Sequence, residues 1–280
     1  MRITSYLPLP LLGLLGYGLG ALLYALGRGK VVAINLRLCF PEASSWQRFV
    51  WGLRHFMAQG RTFLELGVQW WQPLHRTTGY VTLHGAENLN AHSGKPVILL
   101  TPHFVGFNIG SAKVTATWPC AGMYSENKDP QFDKMLRLGR TRFGAPTLLT
   151  KQDGLRQIVR TLKAGDRPLI YLPDMNFSAR DCVFVPFFGV PAATLTAVAR
   201  LAQLSGAVVL PVVTKQLSVW RGYETHIGTP WENYPEGDAV RDARRLNAFV
   251  EASVLTMPHQ YFWVHRRFGT RPPGEPDLYR

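Results

Sequence analysis

The sequence predicts an α/β protein in which a largely parallel central sheet carries helices on both faces, preceded by an N-terminal membrane-anchoring helix. Short apolar runs at residues 97–100, 169–172 and 208–213 alternate with longer stretches of helical periodicity. Strands that alternate with helices are typical of a parallel sheet covered on both faces. A stretch without any charged residue, residues 3–27, supplies the predicted anchor.

The charge-free stretch is long enough to cross a hydrocarbon core of roughly 30 Å at about 1.5 Å per residue. Arg2 precedes it and Arg28 and Lys30 follow it, which weakly favours a cytoplasmic location for the rest of the chain. A cleaved signal peptide is the competing interpretation. We predict a membrane anchor at residues 1–30 and one α/β domain at residues 31–280, a length that can bury a sizeable core.

The remaining elements follow from local periodicity. Residues 44–71 predict an amphipathic helix or helix pair, with Ser44 or Ser45 as N-cap, that either packs over the sheet or docks on the membrane. An alternating strand is predicted at residues 80–85. Further helices are predicted at residues 109–117, 132–143, 154–164, 193–204 and 238–257, and a solvent-exposed tail at residues 271–276.

The charge balance predicts an anionic partner. The chain has 31 Lys and Arg against 18 Asp and Glu, a net charge of +13. Because the basic residues are scattered and no nucleic-acid-binding motif accompanies them, a membrane surface or an anionic lipid is favoured over nucleic acid. Cys39, Cys120 and Cys182 lie far apart without metal-ligand spacing, so we expect reduced thiols and no metal site.

The strand at residues 97–100 ends in a strand-to-helix turn, where open α/β sheets place functional groups. The turn contains His103, and Asn108 lies five positions further on. If the turn is irregular, the Asn108 amide oxygen can accept a hydrogen bond from Nδ1 of His103 and hold the ring. A neutral imidazole held in this way can act as a general base toward a hydroxyl. The alternative is a histidine that only caps a helix or only hydrogen-bonds backbone groups.

Several segments together carry a family resemblance. In order along the chain they are residues 34–42, 101–110, 128–133, 171–174, 183–194 and 261–268, with Arg137 and Arg140 after the third. This set resembles the late acyltransferases of lipid A biosynthesis, the lauroyl/myristoyl acyltransferase family, over nearly the whole chain. The resemblance implies a glycerolipid-acyltransferase-like fold. One position departs from it: the family motif is His, four residues, then Asp or Glu, and this chain has Asn108.

The resemblance also implies roles for individual residues. Arg140 falls where the family has an active-site arginine, which would bind a phosphate of the acceptor or the developing oxyanion. Asp174 would belong to the active site, either holding Arg140 or assisting His103. Further expected substrate contacts are Lys128, Arg137 and Arg180 for anionic groups, and Phe187 and Phe188 for an acyl groove. The alternatives are a solvated face for the arginines, a turn for Asp174 and core packing for the phenylalanines.

The predicted function is that of a membrane-anchored O-acyltransferase at the cytoplasmic face of the bacterial inner membrane. His103 would deprotonate a hydroxyl of a lipid A precursor, which attacks the thioester of an acyl-acyl carrier protein or an acyl-CoA. No Ser or Cys lies in a G-x-S-x-G context, so no acyl-enzyme is expected, and no metal or organic cofactor is implied.

The sequence leaves three alternatives open. The chain is a lipid-binding relative that lost turnover through Asn108, Asn108 is a substitution made to trap a complex, or the acceptor is another glycolipid or an aminolipid. If Asn108 orients His103, the change Asn108→Asp is expected to raise the rate by roughly two to three orders of magnitude.

Overall fold

The structure, a computed structural model, describes residues 2–178 and 182–280. Its centre is a seven-stranded sheet in the order β1-β9-β8-β2-β5-β3-β4, and strands β6 and β7 form a separate antiparallel hairpin. All pairs in the large sheet are parallel except β8 with β9. The predicted, largely parallel sheet is therefore confirmed. The strands are β1 Val81–His84, β2 Val97–Leu100, β3 Ala121–Met123, β4 Thr147–Leu149, β5 Leu169–Tyr171, β6 Cys182–Phe187, β7 Val190–Leu195, β8 Val208–Gln216 and β9 Tyr223–Ile227.

Helices cover both faces of the sheet, as β2 demonstrates. Its side chains alternate: Ile98 and Leu100 join the larger core with α8, α9 and α10, and Val97 and Leu99 join a second core with α5 and α6. A strand buried on both faces has no polar side, which is why residues 97–100 are uniformly apolar. The helices are α1 Leu9–Leu23, α2 Lys30–Cys39, α3 Ser45–Trp71, α4 Leu74–Thr78, α5 Ala86–Asn90, α6 Phe107–Thr117, α7 Pro130–Thr141, α8 Gly154–Ala164, α9 Ala197–Ser205 and α10 Ala239–Thr256.

Helix caps explain several boundaries. The Ser44 hydroxyl accepts a hydrogen bond from the Gln47 amide, so the predicted cap opens α3, which runs as one helix rather than a pair. Asp129 and Asp238 cap α7 and α10 in the same way. Residues 273–276 of the predicted tail are exposed, whereas beyond them Tyr279 is buried and its ring hydroxyl accepts a hydrogen bond from the Phe268 amide.

One predicted helix begins too early. Residues 193–204 were expected to be helical, but Ala193 to Leu195 belong to β7 and the helix begins at Ala197. The alanines have high helix propensity, yet they pair with β6 across the turn at Phe188 and Gly189. Tertiary pairing overrides local propensity here.

Among the residues that the structure describes, one helix, Leu9–Arg28, is long and apolar enough to cross a membrane by length and composition. Its regular part, α1, packs along α3, and residues 24–28 form a π-helical turn that ends near Gly27, where φ is positive. The division of the chain into an anchor at residues 1–30 and an α/β domain at residues 31–280 stays a prediction.

Candidate active site

The centre of the candidate site is a close pair between His103 and Asp174. Nδ1 of His103 lies 2.7 Å from Oδ1 of Asp174, and the His103 backbone amide donates to Oδ2 at 2.9 Å. The carboxylate therefore accepts from the ring and the backbone of one residue. This contact fixes the tautomer with a proton on Nδ1 and leaves Nε2, on the other edge of the ring, as the basic nitrogen.

The sheet brings these two residues together from distant parts of the sequence. His103 follows β2 and Asp174 follows β5, which are parallel neighbours, so both lie at the same edge of the sheet. The Thr101 amide donates to the Tyr171 carbonyl at 2.9 Å and extends the pairing beyond β2. Proximity of the two loops is thus a consequence of sheet topology.

The segment after α10 clamps the His103 loop from a second side. The Phe262 amide donates to the His103 carbonyl, and the Val105 amide donates to the Gln260 carbonyl, at 2.9 and 2.8 Å. The Tyr261 hydroxyl donates to the Asp174 carbonyl at 3.2 Å. Both members of the pair are therefore held through their backbones.

Burial and hydrogen bonding act in opposite directions on Asp174. Burial raises the pKa of the carboxyl, but the His103 charge and the two hydrogen bonds from His103 outweigh it, so the pKa is lowered overall. The group is therefore an anion at neutral pH and can stabilise an imidazolium. Nearby, the backbone amide of Asn176 donates a hydrogen bond to Nε2 of His265 at 2.7 Å. Burial, followed by the charges of Arg267 and His103, lowers the pKa of His265 to about 4.

A cavity of about 540 Å³ opens beside His103. Its size is within the range of small-molecule and lipid-chain sites. Polar groups on its wall include Asn108, Arg140 and Gln69, and no described lining residue is a carboxylate. Apolar lining comes from α6, from the segment after α7 and from the strands, and includes Phe107, Met123, Phe143, Leu148 and Ile170.

Arg140 is the cation on this wall. Its guanidinium lies 5.3 Å from the centre of the Tyr124 ring, and Arg137 lies 4.8 Å from the same ring. Burial lowers the pKa of Arg140, with Tyr124 and Asp133 opposing the shift. Arg137 instead points toward solvent and forms ion pairs with Asp133 and Glu126 at 3.4 and 3.6 Å.

The structure corrects the predicted partner of His103. Nδ1 faces Asp174, so the expected hydrogen bond from Nδ1 to Asn108 is wrong. Asn108 lies in the first turn of α6 and lines the cavity, with its backbone carbonyl accepting from Gln69 at 3.3 Å. Of the two alternatives for Asp174, contact with His103 is the one observed, and Arg140 has other neighbours.

Phe187 and Phe188 do not line the cavity. Phe187 is buried against Tyr261 and Phe268, under the Arg267 guanidinium, and Phe188 packs on Phe40. The β6–β7 hairpin packs on the larger core, so the acyl-groove role predicted for both residues finds no support in this cavity.

The remaining predicted substrate contacts have different outcomes. Lys128 is exposed in the loop before α7, outside the cavity wall, and Arg180 falls outside the described residues. Gln69 and Asn176 were not foreseen as lining residues. Gln69 comes from α3, and no local pattern connects that helix with the strand ends.

Comparison with known proteins identifies the family. The family model of the bacterial lipid A biosynthesis acyltransferases matches residues 1–270. The Escherichia coli lipid A biosynthesis lauroyltransferase is 34% identical over 282 residues, covering 99% of this chain and 91% of that protein. The palmitoleoyltransferase of the same organism is 30% identical, covering 98% and 90%, and its myristoyltransferase is 29% identical, covering 88% and 77%. The chain therefore belongs to the bacterial lipid A biosynthesis acyltransferase family and is an acyltransferase.

Proposed function

We propose that this protein transfers a fatty acyl chain from an acyl-carrier-protein thioester to a hydroxyl of a lipid A precursor at the inner membrane, with His103 as general base. The observation that carries the proposal is the His103–Asp174 pair at the cavity. Such a pair sets the ring for proton transfer at Nε2.

In the proposed reaction the acyl group passes directly from the thioester to the hydroxyl. Nε2 takes the proton of the acceptor hydroxyl as its oxygen attacks the thioester carbonyl. A C–O bond forms, the C–S bond breaks, and the proton on Nε2 passes to the departing thiolate. Asp174 stabilises the imidazolium present between these two transfers through a charge-assisted hydrogen bond. The amide of Asn108 and the guanidinium of Arg140 are our candidate donors to the oxyanion.

The apolar part of the cavity supports binding of an acyl chain. Met123, Leu148 and Ile170 lie on neighbouring strands or their ends, and they offer surface that a hydrocarbon chain would bury. Lys128, Arg137 and Arg180 remain proposed contacts for anionic groups of the donor or the acceptor. An acidic carrier protein suits the net charge of +13, and acyl-CoA is the alternative donor.

An inactive lipid-binding relative is the rival proposal. This rival assumes that His103 lacks a carboxylate partner because position 108 is Asn. Asp174 provides that carboxylate, so the assumption does not hold. A catalytic role for the site is therefore favoured. An acceptor other than a lipid A precursor, such as another glycolipid or an aminolipid, stays as an outcome of the assay below.

The test uses the purified full chain with an isotope-labelled acyl-carrier-protein thioester and a lipid A precursor, followed by mass spectrometry of the lipids. We expect a product heavier by one acyl group, and loss of about three orders of magnitude in rate with His103→Ala. Equal rates for wild type and His103→Ala would overturn the assignment of the base. Acylation only of other membrane lipids would move the proposal to another acceptor.

A further inference from the structure

The predicted anchor is not a free helix. α1 packs antiparallel on α3 through glycines on both helices: a Cβ on Gly16 would collide with the backbone of Arg61, and one on Gly20 with the backbone of Phe56. Gly60 of α3 faces Gly16 in the same way. Backbones approach this closely only where glycine leaves no side chain between them, as Gly16 and Gly20 do on α1.

The contact extends over the whole length of α1. Before α1, the Ser5 hydroxyl accepts from Nε2 of Gln72 at 3.0 Å, and Arg76 donates to the Tyr6 carbonyl at 2.9 Å. After α1, the Tyr24 ring lies 5.6 Å from that of Phe49, near the start of α3. Residues 5–24 therefore run beside residues 72–49.

α3 itself belongs to the body of the protein. Its Arg61 and Glu65 form a buried ion pair at 2.8 Å, Arg61 donates to the Leu217 carbonyl at 2.7 Å, and the Tyr223 hydroxyl of β9 donates to Glu65 at 2.6 Å. A helix with these contacts cannot enter hydrocarbon, because the charged pair would lose its partners on the sheet. α1 can therefore cross a bilayer only by leaving α3, which would uncover Arg61.

The opposite side of α1 is apolar and exposed. We call it the outer face and define it by Leu11, Leu14, Leu15, Leu22 and Leu26, which are 45%, 51%, 49%, 56% and 68% exposed. Trp46, 71% exposed and stacked on Phe49, extends it beyond Tyr24. Tryptophan is enriched where membrane and water meet.

The charges around the outer face suit an anionic surface. No Asp or Glu occurs before Glu42, whereas Arg2 lies near one end of α1 and Arg28 and Lys30 near the other, all three exposed. On an anionic bilayer surface the apolar face could insert at the headgroup–acyl boundary while the cations at its two ends contact anionic headgroups.

We infer that α1 docks in the plane of the membrane through its outer face, with α3 beneath it, and does not span the bilayer. This inference rests on the membrane location proposed above but not on the acyl transfer. It places one bilayer leaflet close to the site, because Gln72 contacts Ser5 and Gln69, one turn earlier on α3, lines the cavity. A lipid acceptor would then reach His103 without leaving the surface of that leaflet.

Topology distinguishes the two arrangements. The full chain with one epitope at each terminus is expressed, and sealed inner-membrane vesicles of both orientations are treated with protease. We expect both epitopes to be cleaved from the same, cytoplasmic side. Cleavage of the two epitopes from opposite sides would overturn the inference, and it would do so whether or not acyl transfer is observed.

A matched pair of surface variants tests the outer face. Leu15→Glu with Leu22→Glu changes exposed leucines of this face, and Leu255→Glu changes a leucine of α10 that is 61% exposed. Binding to phosphatidylglycerol-containing vesicles should fall by about tenfold or more for the first and stay unchanged for the second, since apolar contact with lipid is lost only at the outer face. Equal binding by both would refute the assignment, and unchanged melting temperatures provide the folding control.

Discussion

Asp174 accepts two hydrogen bonds from His103, one from Nδ1 at 2.7 Å and one from the backbone amide at 2.9 Å. The carboxylate thus holds the ring and the loop that carries it. A change at Asp174 should for this reason affect both the tautomer of His103 and the position of its ring.

We predict that Asp174→Asn lowers acyl transfer strongly, by no more than the loss of about three orders of magnitude expected for His103→Ala, because the aspartate acts through the histidine. The amide can present its NH₂ group to Nδ1 and impose the wrong tautomer. Steady-state kinetics with saturating donor measure the loss. The double variant with His103→Ala should be no slower than His103→Ala alone, because the two residues act as one unit; additive losses would contradict this.

The contact between α1 and α3 predicts opposite changes in the free energy of unfolding when Gly16 and Gly18 are each replaced by alanine. Gly16→Ala should lower the free energy of unfolding by about 1–3 kcal/mol, because the methyl group meets the Arg61 backbone. Gly18→Ala, where a Cβ meets nothing within 4 Å, should raise it by up to about 1 kcal/mol through helix propensity. Denaturant titrations in the same detergent measure both. Equal effects would mean that α1 does not pack on α3 as described.

Acidification should destabilise the fold between pH 6.5 and about 3. Burial lowers the pKa of His55 to about 3 and that of His259 to about 4, and His265 has a similar value. The unfolded chain binds protons in this window and the folded chain does not, so stability is complete above pH 6.5 and falls as pH falls. In His55→Asn the side-chain amide can still donate a hydrogen bond to the His259 carbonyl. This variant should reduce the slope of unfolding free energy against pH, obtained from melting curves at a series of pH values, by up to one proton. An unchanged slope would exclude His55 as its source.

The cavity predicts a residue that limits acyl-chain length. Gly122 lies in β3 on the cavity wall, and a Cβ there meets nothing within 4 Å. Gly122→Leu should therefore occupy the cavity and shift the preferred donor to shorter chains, with little change in rate for the shortest donor that wild type accepts. Competition between donors of different length measures the shift. An unaltered preference would place the acyl chain elsewhere.

The main elements, and the position of His103 at the end of a strand, could be predicted from the sequence because they depend on local signals. β2 is a short apolar run that ends at Thr101 and Pro102, and the helix after it follows from its own periodicity. Asp174 was identified as a site residue, but its partner was not, because the contact joins residues 71 positions apart through the pairing of β2 with β5. Local spacing favoured Asn108, which is nearer in sequence.

Apolar composition alone could not predict whether a phenylalanine is buried in the core or lines the cavity. Phe187 and Phe107 are both aromatic residues beside glycine-containing turns, yet Phe187 is buried under Arg267 and Phe107 lines the cavity next to His103. Which of them meets the cavity depends on the side of the sheet to which each segment returns. That is a property of the long-range topology, in which β6 and β7 form a hairpin separate from the large sheet among the described residues.

The last prediction concerns Asn108, for which sequence and structure lead to opposite expectations. If Asn108 oriented His103, a carboxylate at this position would strengthen the base and raise the rate. In the structure Nδ1 already has a carboxylate, Asp174, and no described residue of the cavity wall is acidic. Asn108→Asp would then add a negative charge where the oxyanion develops and remove an N–H donor. We expect a loss of about two orders of magnitude in kcat, in the range for removal of one oxyanion donor, with Asn108→Ala losing a similar amount and KM for the donor little changed. Measured side by side with His103→Ala, a rise in rate for Asn108→Asp would restore Asn108 as the orienting residue, and Asp174 would then be left with a structural role in the loop.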